Sequence, residues 1–312
     1  MKPHEILVAT DLSGSAEPVY RWAAAFARRL GSHVTLLHVD ETHDFPWPAR
    51  TSAGSVGLKL FLDELSRRRS SLMDEARDRF EREEIPTVCR TVVGSAPDAI
   101  LGHMRSHEVD LVVMGRRGAR RTERFTLGST TKRVLRRVPV PTLVVPRTAS
   151  AEPFEGKRII SATAFSAACL MALDAALDLA AKLDAHVDCV HVIRLPVPFS
   201  VTPARWSEIV AGETREELEH MHARDLSRLI GDERSGRCTP CTTLGTSVSE
   251  SLHDLALETG ADLIAIPSHS SGKERPPRFG STTENVVKRS PVPVLVFPVR
   301  FLEQLLGIAE GS

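Results

Sequence analysis

The sequence predicts an α/β protein made of two doubly wound domains of one kind, each a five-stranded parallel sheet with helices on both faces. Three observations carry that prediction. The chain repeats itself once, each copy alternates short apolar strands with amphipathic helices, and turns bearing glycine or aspartate fall where strands end.

The repeat is read from four pairs of segments. EILVATDLS (5–13) returns as RIISATAFS (158–166), and SHVTLLHV (32–39) as AHVDCVHV (185–192). VDLVVM (109–114) returns as ADLIAI (261–266), and RVPVPTLVVP (137–146) as RSPVPVLVFP (289–298). The separation stays between 152 and 153 residues, which means two domains and not a solenoid of short units. The expected organisation is a domain over 1–147, a linker over 148–156, a second domain over 157–300 and a tail over 301–312. The linker is polar and carries proline and glycine.

In the first copy, Ile6 to Ala9 form a strand, and Val19, Ala23, Phe26, Ala27 and Leu30 share one face of a helix closed by Gly31. Val34 to Val39 make the second strand. A loop with Phe45-Pro-Trp-Pro48 then leads to a helix over about Leu60 to Glu84, and Val88 to Val93 make the third strand. Ser95 is placed to cap the next helix, with Pro97 in its first turn. Leu111 to Met114 form strand four, a short helix starts at Ser129, and Val140 to Val145 form strand five. The second copy follows the same course from Arg158 to Pro298.

Composition narrows the function classes. Forty basic residues balance forty acidic ones, so no whole-molecule field favours nucleic acid or an anionic membrane. No stretch reaches the roughly 18 apolar residues of a membrane span, and no apolar leader opens the chain. Five cysteines, few and odd in number, suit reduced thiols in a cytoplasm.

The local chemistry concentrates in MGRRGARRTERFTLGST (114–130). Ligands of open parallel sheets settle outside the carboxyl ends of strands, and Asp11, Val39 and Gly115 all stand at such ends. Glycines let a backbone approach an anion, and Gly128-Ser129-Thr130-Thr131 opens a helix whose first amides favour negative charge. The arginines between are the least specific part, since a basic loop is commonly only a solvated face. The spacing is neither a Walker loop nor a Gly-x-Gly-x-x-Gly fingerprint.

Gly115-x2-Gly118-x9-Gly128-Ser129 resembles the nucleotide motif of the universal stress protein family. ILVATDLSGSA, LLHV, VVGSAPDAI and VPVPTLVVP resemble that family too, over nearly the whole chain and twice, so the sequence is identified as a tandem member. The resemblance implies flavodoxin-like (Rossmann-like) domains and an ATP site, with or without Mg²⁺. It implies adenine near Val39, and ribose and phosphates near Asp11, Met114, Gly115, Gly118, Gly128, Ser129 and Thr130, with Ala9, Thr10, Arg117 and Thr131 completing the set. Asp11 would repel phosphates unless it meets a ribose hydroxyl or a hard cation, and the hydroxyl is favoured.

The family commonly dimerises through its last strand. Here that implies an intramolecular pseudo-dimer pairing Val140–Val145 with Val292–Val296, while further homo-oligomer formation stays open. The expected role is an ATP-binding stress-response or regulatory protein. A slow ATPase or autophosphorylating protein, with Ser129 or Thr130 as acceptor, and a scaffold with a vestigial site are the alternatives.

Aligned on the repeat, Asp11 becomes Ala164 in the second copy, Gly115 becomes Ser268 and Gly118 becomes Ser271, with the intervening loop one residue shorter. Pro276-Pro277 stiffen it, and only Gly280-Ser281 persists, so this copy is expected to have lost nucleotide binding. Cys238-Thr-Pro-Cys241 begins a strand, where residues three apart face opposite ways, so the pair reads as ordinary thiols. His103 and His107 share a helix face expected to be solvent-facing; His220 and His222 are not brought together by their spacing; the tail FLEQLLGIA should pack on the body.

Overall fold

The computed structural model describes residues 3–41, 54–118, 126–150, 152–154, 157–194, 213–269, 279–305 and 307. The first half runs β1 (Glu5–Thr10), α1 (Glu17–Leu30), β2 (His33–Asp40), α2 (Gly54–Glu81), β3 (Thr87–Val93), α3 (Ala96–Ser106), β4 (Leu111–Gly115), α4 (Ser129–Leu135) and β5 (Thr142–Val145). The second runs β6 (Arg158–Thr163), α5 (Ala167–Leu183), β7 (His186–Arg194), α6 (Glu213–Ser235), β8 (Cys238–Gly245), α7 (Val248–Thr259), β9 (Leu263–Pro267), α8 (Ser281–Arg289), β10 (Val294–Phe297) and α9 (Val299–Leu305).

All the described strands join one ten-stranded sheet, in the order β3-β2-β1-β4-β5-β10-β9-β6-β7-β8. Within each half the pairing is parallel. Chain order reverses between β1 and β4, which is where such a sheet opens a crevice. The halves meet through the antiparallel pair β5–β10, with Leu143 opposite Leu295, so the expected pseudo-dimer is present.

Period-two burial splits the core between the sheet faces. On one face Ile6, Val8 and Leu143 join residues of α1, α2, α5 and α6 in a cluster that crosses both halves. On the other face Leu7, Val112 and Met114 pack with α3 and α4, and Val144, Ile160 and Ile264 with α7 and α8. Cys238 belongs to the first of these clusters while Cys241 packs against the last, so the two thiols face opposite sides of the sheet. All five cysteines are free.

Several expectations are corrected. The helix expected from about Leu60 begins at Gly54, and β5 starts at Thr142 because Pro139 and Pro141 lack the N–H a ladder needs. Ser95 stands at the N-cap of α3 without a side-chain cap bond; the amide of Ala96 donates instead to Glu41 Oε1 at 3.1 Å. The segment expected as a polar linker carries an anchor. Phe154, 2% exposed, sits 5.1 Å from the Trp22 ring and 5.2 Å from that of Phe26, under the Arg29 guanidinium. His103 is buried, contrary to expectation, whereas His107, the residue after α3 ends, is exposed as expected and stacks its ring on that of His103 at 4.0 Å. The described part of the tail, Phe301 to Leu305, packs on the body through fully buried Leu302 and the Phe297–Phe301 stack. The Phe45-Pro-Trp-Pro48 stretch lies outside the described residues.

Candidate functional site

The site grows from the turn that ends β1. Thr10 Oγ1 accepts from the amide of Leu12 at 3.0 Å and meets the Tyr20 hydroxyl at 2.5 Å. The carbonyl of Thr10 accepts from His38 Nδ1 on β2 at 3.0 Å. With both ends held, the backbone turns through Leu12 at φ 56° and leaves Asp11 exposed. Asp11 Oδ1 accepts from the amide and hydroxyl of Ser13, at 3.1 and 2.7 Å. Thr10 is thus a post that aims Asp11, its own hydroxyl turned inward.

The loop after β4 folds against that carboxylate. A Cβ on Gly118 would stand 3.0 Å from Asp11 Oδ2, and one on Gly115 would stand 3.2 Å from the carbonyl oxygen of Arg117. Thr131 Oγ1 donates to the Gly115 carbonyl at 2.9 Å, tying the start of α4 to the end of β4. Arg147 Nη2 donates to the Gly118 carbonyl at 2.6 Å. Arg117 is half-buried and reaches Thr126 Oγ1 at 3.4 Å. Gly128 is the N-cap of α4, so the amides of Ser129 and Thr130 have no intrahelical acceptor.

The structure therefore brings Asp11, Gly115, Arg117, Gly118, Gly128 and Thr131 into one contact network on the two sides of the β1/β4 crevice. Ala9 and Met114, adjacent in register, lie beneath it. Val39 stands half-buried near the end of β2, beyond β1 from the loop. Arg120, Arg121 and Arg124 lie outside the described residues.

Arg116 behaves differently from the other loop arginines. Its Nη1 donates across the seam to the carbonyls of Lys288 and Ser290, at 3.0 and 2.9 Å, where α8 ends. Burial and then neighbouring Arg117 lower its pKa to about 10. Nothing in the local sequence marks this role, because the acceptors are 172 and 174 residues away.

Hydrogen bonding also corrects how the two loops match. Gly128 N donates to the Arg116 carbonyl and Gly280 N to the Ser268 carbonyl, both at 2.9 Å. Thr131 bonds the Gly115 carbonyl, and Thr283 bonds that of Pro267, both at 2.9 Å. Gly115 is therefore matched by Pro267 and Gly118 by Ser270, and the two loops have equal length. The expected alignment of Gly115 with Ser268 is therefore one residue out of register. Ser270, matched by count alone, and Ser271 and Pro276-Pro277 lie outside the described residues.

The second half keeps the frame and puts an aromatic side chain at the turn after its first strand. Phe165 takes the place of Leu12 with the same backbone, φ 55°, and its ring lies 4.3 Å from that of His191. His222 of α6 stacks on His191 at 5.6 Å, a contact its spacing from His220 could not announce. Burial, partly opposed by the Thr163 carbonyl, holds His191 below its ordinary pKa.

Among the described residues no group of three or more His, Cys, Asp or Glu is arranged to hold a metal, and no helix is long and apolar enough to cross a membrane.

The universal stress protein family model matches residues 3–146 and again 156–298. Universal stress protein MJ0577 of Methanocaldococcus jannaschii is 29% identical over 153 residues, 46% of this chain and 94% of its own. Universal stress protein Slr1230 of Synechocystis sp. is 22% identical over 94% of this chain and 99% of its own. The crystal structure of a universal stress protein from Archaeoglobus fulgidus, 19% identical, superposes with a TM-score of 0.66 over 96% of this chain and 100% of its own, a likeness of fold. A double match over nearly the whole length, on two halves that share one sheet, means that this chain belongs to the universal stress protein family and carries two of its domains in tandem.

Proposed function

We propose that the first half binds one ATP at the carboxyl ends of β1, β2 and β4, and that the chain works as a nucleotide-responsive regulatory protein of the stress response. The observation that carries this reading is the approach of Gly118 to Asp11. A side chain at 118 would fill the space between the loop and the carboxylate, and a backbone kept bare beside a held carboxylate suits a sugar-phosphate.

The roles follow from the atoms. Asp11, held in place by the amide and hydroxyl of Ser13, stands where its carboxylate would meet a ribose hydroxyl, or Mg²⁺ if the cation accompanies the nucleotide. The amides of Gly118, Ser129 and Thr130 serve the phosphates, Gly115 keeps the strand end bare beside them, and Arg117 and Arg147 supply positive charge. Val39, Ala9 and Met114 offer backbone and apolar surface to the base. Thr10 and Thr131 hold these groups in place. The nucleotide, when bound, supplies charge and a surface that reorganises the loop. The five free thiols accord with a reducing cytoplasm.

The second half has Ala164 for Asp11, and the pyrrolidine ring of Pro267 where Gly115 leaves the strand end bare, so one nucleotide per chain is expected. Calorimetry of the full chain with ATP, with and without Mg²⁺, should give a stoichiometry of one, and Asp11→Ala should weaken binding. Two sites, or unchanged affinity in Asp11→Ala, would sink the assignment. Labelled ATP separates the other roles: retention unchanged supports a binding protein, ADP or phosphoprotein a slow enzyme, and no retention a scaffold.

A further inference from the structure

The seam between the halves is a pseudo-twofold interface, so each contact across it can be compared with what it becomes when a half meets a second copy of itself. Equivalent residues face each other there. Leu143 and Leu295, matched by the repeat, are paired in the β5–β10 register, and the axis passes between them. Lys132 and Glu284 are likewise equivalent, 152 residues apart, and Lys132 Nζ donates to Glu284 Oε1 at 2.7 Å. Glu284 also pairs with Lys288 at 2.7 Å and is only 13% exposed.

Two first halves placed across the same axis would set Lys132 against Lys132. Arg136 stands where the second half has Lys288, so that pair would gather four positive charges with no acid. Two second halves would set Glu284 against Glu284, each still neutralised by its own Lys288, so charge alone does not reject them. The other seam contact does. Arg116 satisfies the Lys288 and Ser290 carbonyls at the end of α8, whereas its counterpart Ser268 is too short to cross. Two second halves would leave both α8 ends without that donor.

We infer that Lys132–Glu284 and Arg116 form a pairing code: the β5 edge of the first half fits an edge carrying an acid at position 284 and open helix-end carbonyls, and refuses a second copy of itself. One contact rejects each homotypic alternative, by repulsion in one case and by unsatisfied acceptors in the other. The chain's own second half is the partner that satisfies both.

The test uses full chains. Lys132→Glu and Glu284→Lys should each lower the thermal midpoint by several degrees, and the charge-swapped double variant should recover most of the loss; additive losses would overturn the code. The singles should also differ in mass by light scattering. Lys132→Glu turns the first half into an edge that accepts its own copy, with the new carboxylate beside Arg136 and two Arg116 donors, so it should associate as concentration rises. Glu284→Lys still presents Lys132 to Lys132 and should stay at 34.2 kDa. Equal association of the two, or of neither, would refute the assignment.

Discussion

Gly118→Ala should separate binding from stability. The new Cβ would meet Asp11 Oδ2 at 3.0 Å and the carboxyl carbon at 4.0 Å, and no other atom of the described residues within that range. Asp11 is exposed and can swing aside, so the cost to folding should stay below about 0.5 kcal/mol. Swinging aside, though, removes the carboxylate from the crevice. A charged hydrogen bond is worth ~1.5–3 kcal/mol, so ATP affinity should fall roughly 10- to 150-fold. Gly128→Ala is the contrast. Its Cβ would meet backbone, the Arg116 carbonyl oxygen at 3.2 Å and Arg117 Cα at 3.3 Å, and backbone cannot swing, so the cost should be about 1–3 kcal/mol. Gly280→Ala meets Ser268 O at 3.2 Å and His269 Cα at 3.4 Å and should cost as much, with ATP binding retained. Thermal melts beside calorimetric titrations of the three variants read both quantities. If Gly118→Ala bound ATP like the parent chain, or melted as low as Gly128→Ala, the division of roles would be refuted.

The remaining predictions concern the scaffold. Burial first, then the charges of His107 and Arg90, lower the His103 pKa from 6.5 to about 4. Between those values the unfolded chain binds a proton that the folded chain refuses, so stability is full above the unfolded pKa and is lost as pH falls toward the folded one, by up to about 3 kcal/mol. His103→Leu should flatten the thermal midpoint across that window; an unchanged slope would assign the dependence to other groups. Phe154→Ala should cost ~3–5 kcal/mol because its ring fills the space beside Trp22 and Phe26. Denaturant unfolding reads it, and a loss under about 1 kcal/mol would mean the segment is not an anchor.

How much was legible in the sequence depended on the range of the interaction. The strands and helices are periodic patterns over a few residues, and the β5–β10 seam followed from the repeat plus the family resemblance. The facing of Cys238 and Cys241 followed from period two alone. What stayed hidden was non-local. Arg116 looks like any loop arginine until α8 arrives beside it, Phe154 sits in a polar stretch whose neighbours are on α1, and His103 is buried by packing that its own helix does not encode. The shifted loop alignment has the same origin. Residue types can be matched in more than one register, whereas the bond from Gly280 N to Ser268 O admits one.

The duplicated chain supplies its own control for deciding which site residues serve the fold and which serve a ligand. Gly128 and Gly280 make the same close approach to the loop backbone, and Thr131 and Thr283 make the same bond to the preceding strand end. Since the second half keeps these contacts without Asp11 or Gly115, they are what this strand-to-helix closure needs, whether or not a nucleotide follows. Thr10 and Thr163 likewise hold the same turn, and His38 and His191 bond the same carbonyl. Asp11, Gly115 and Gly118 have no such twin. The most specific part of the motif is therefore not its terminal Gly-Ser but the pairing of a carboxylate after β1 with a bare backbone after β4. A chain with Gly128-Ser129 and no Asp11 should fold like this one and bind ATP roughly 10- to 150-fold more weakly.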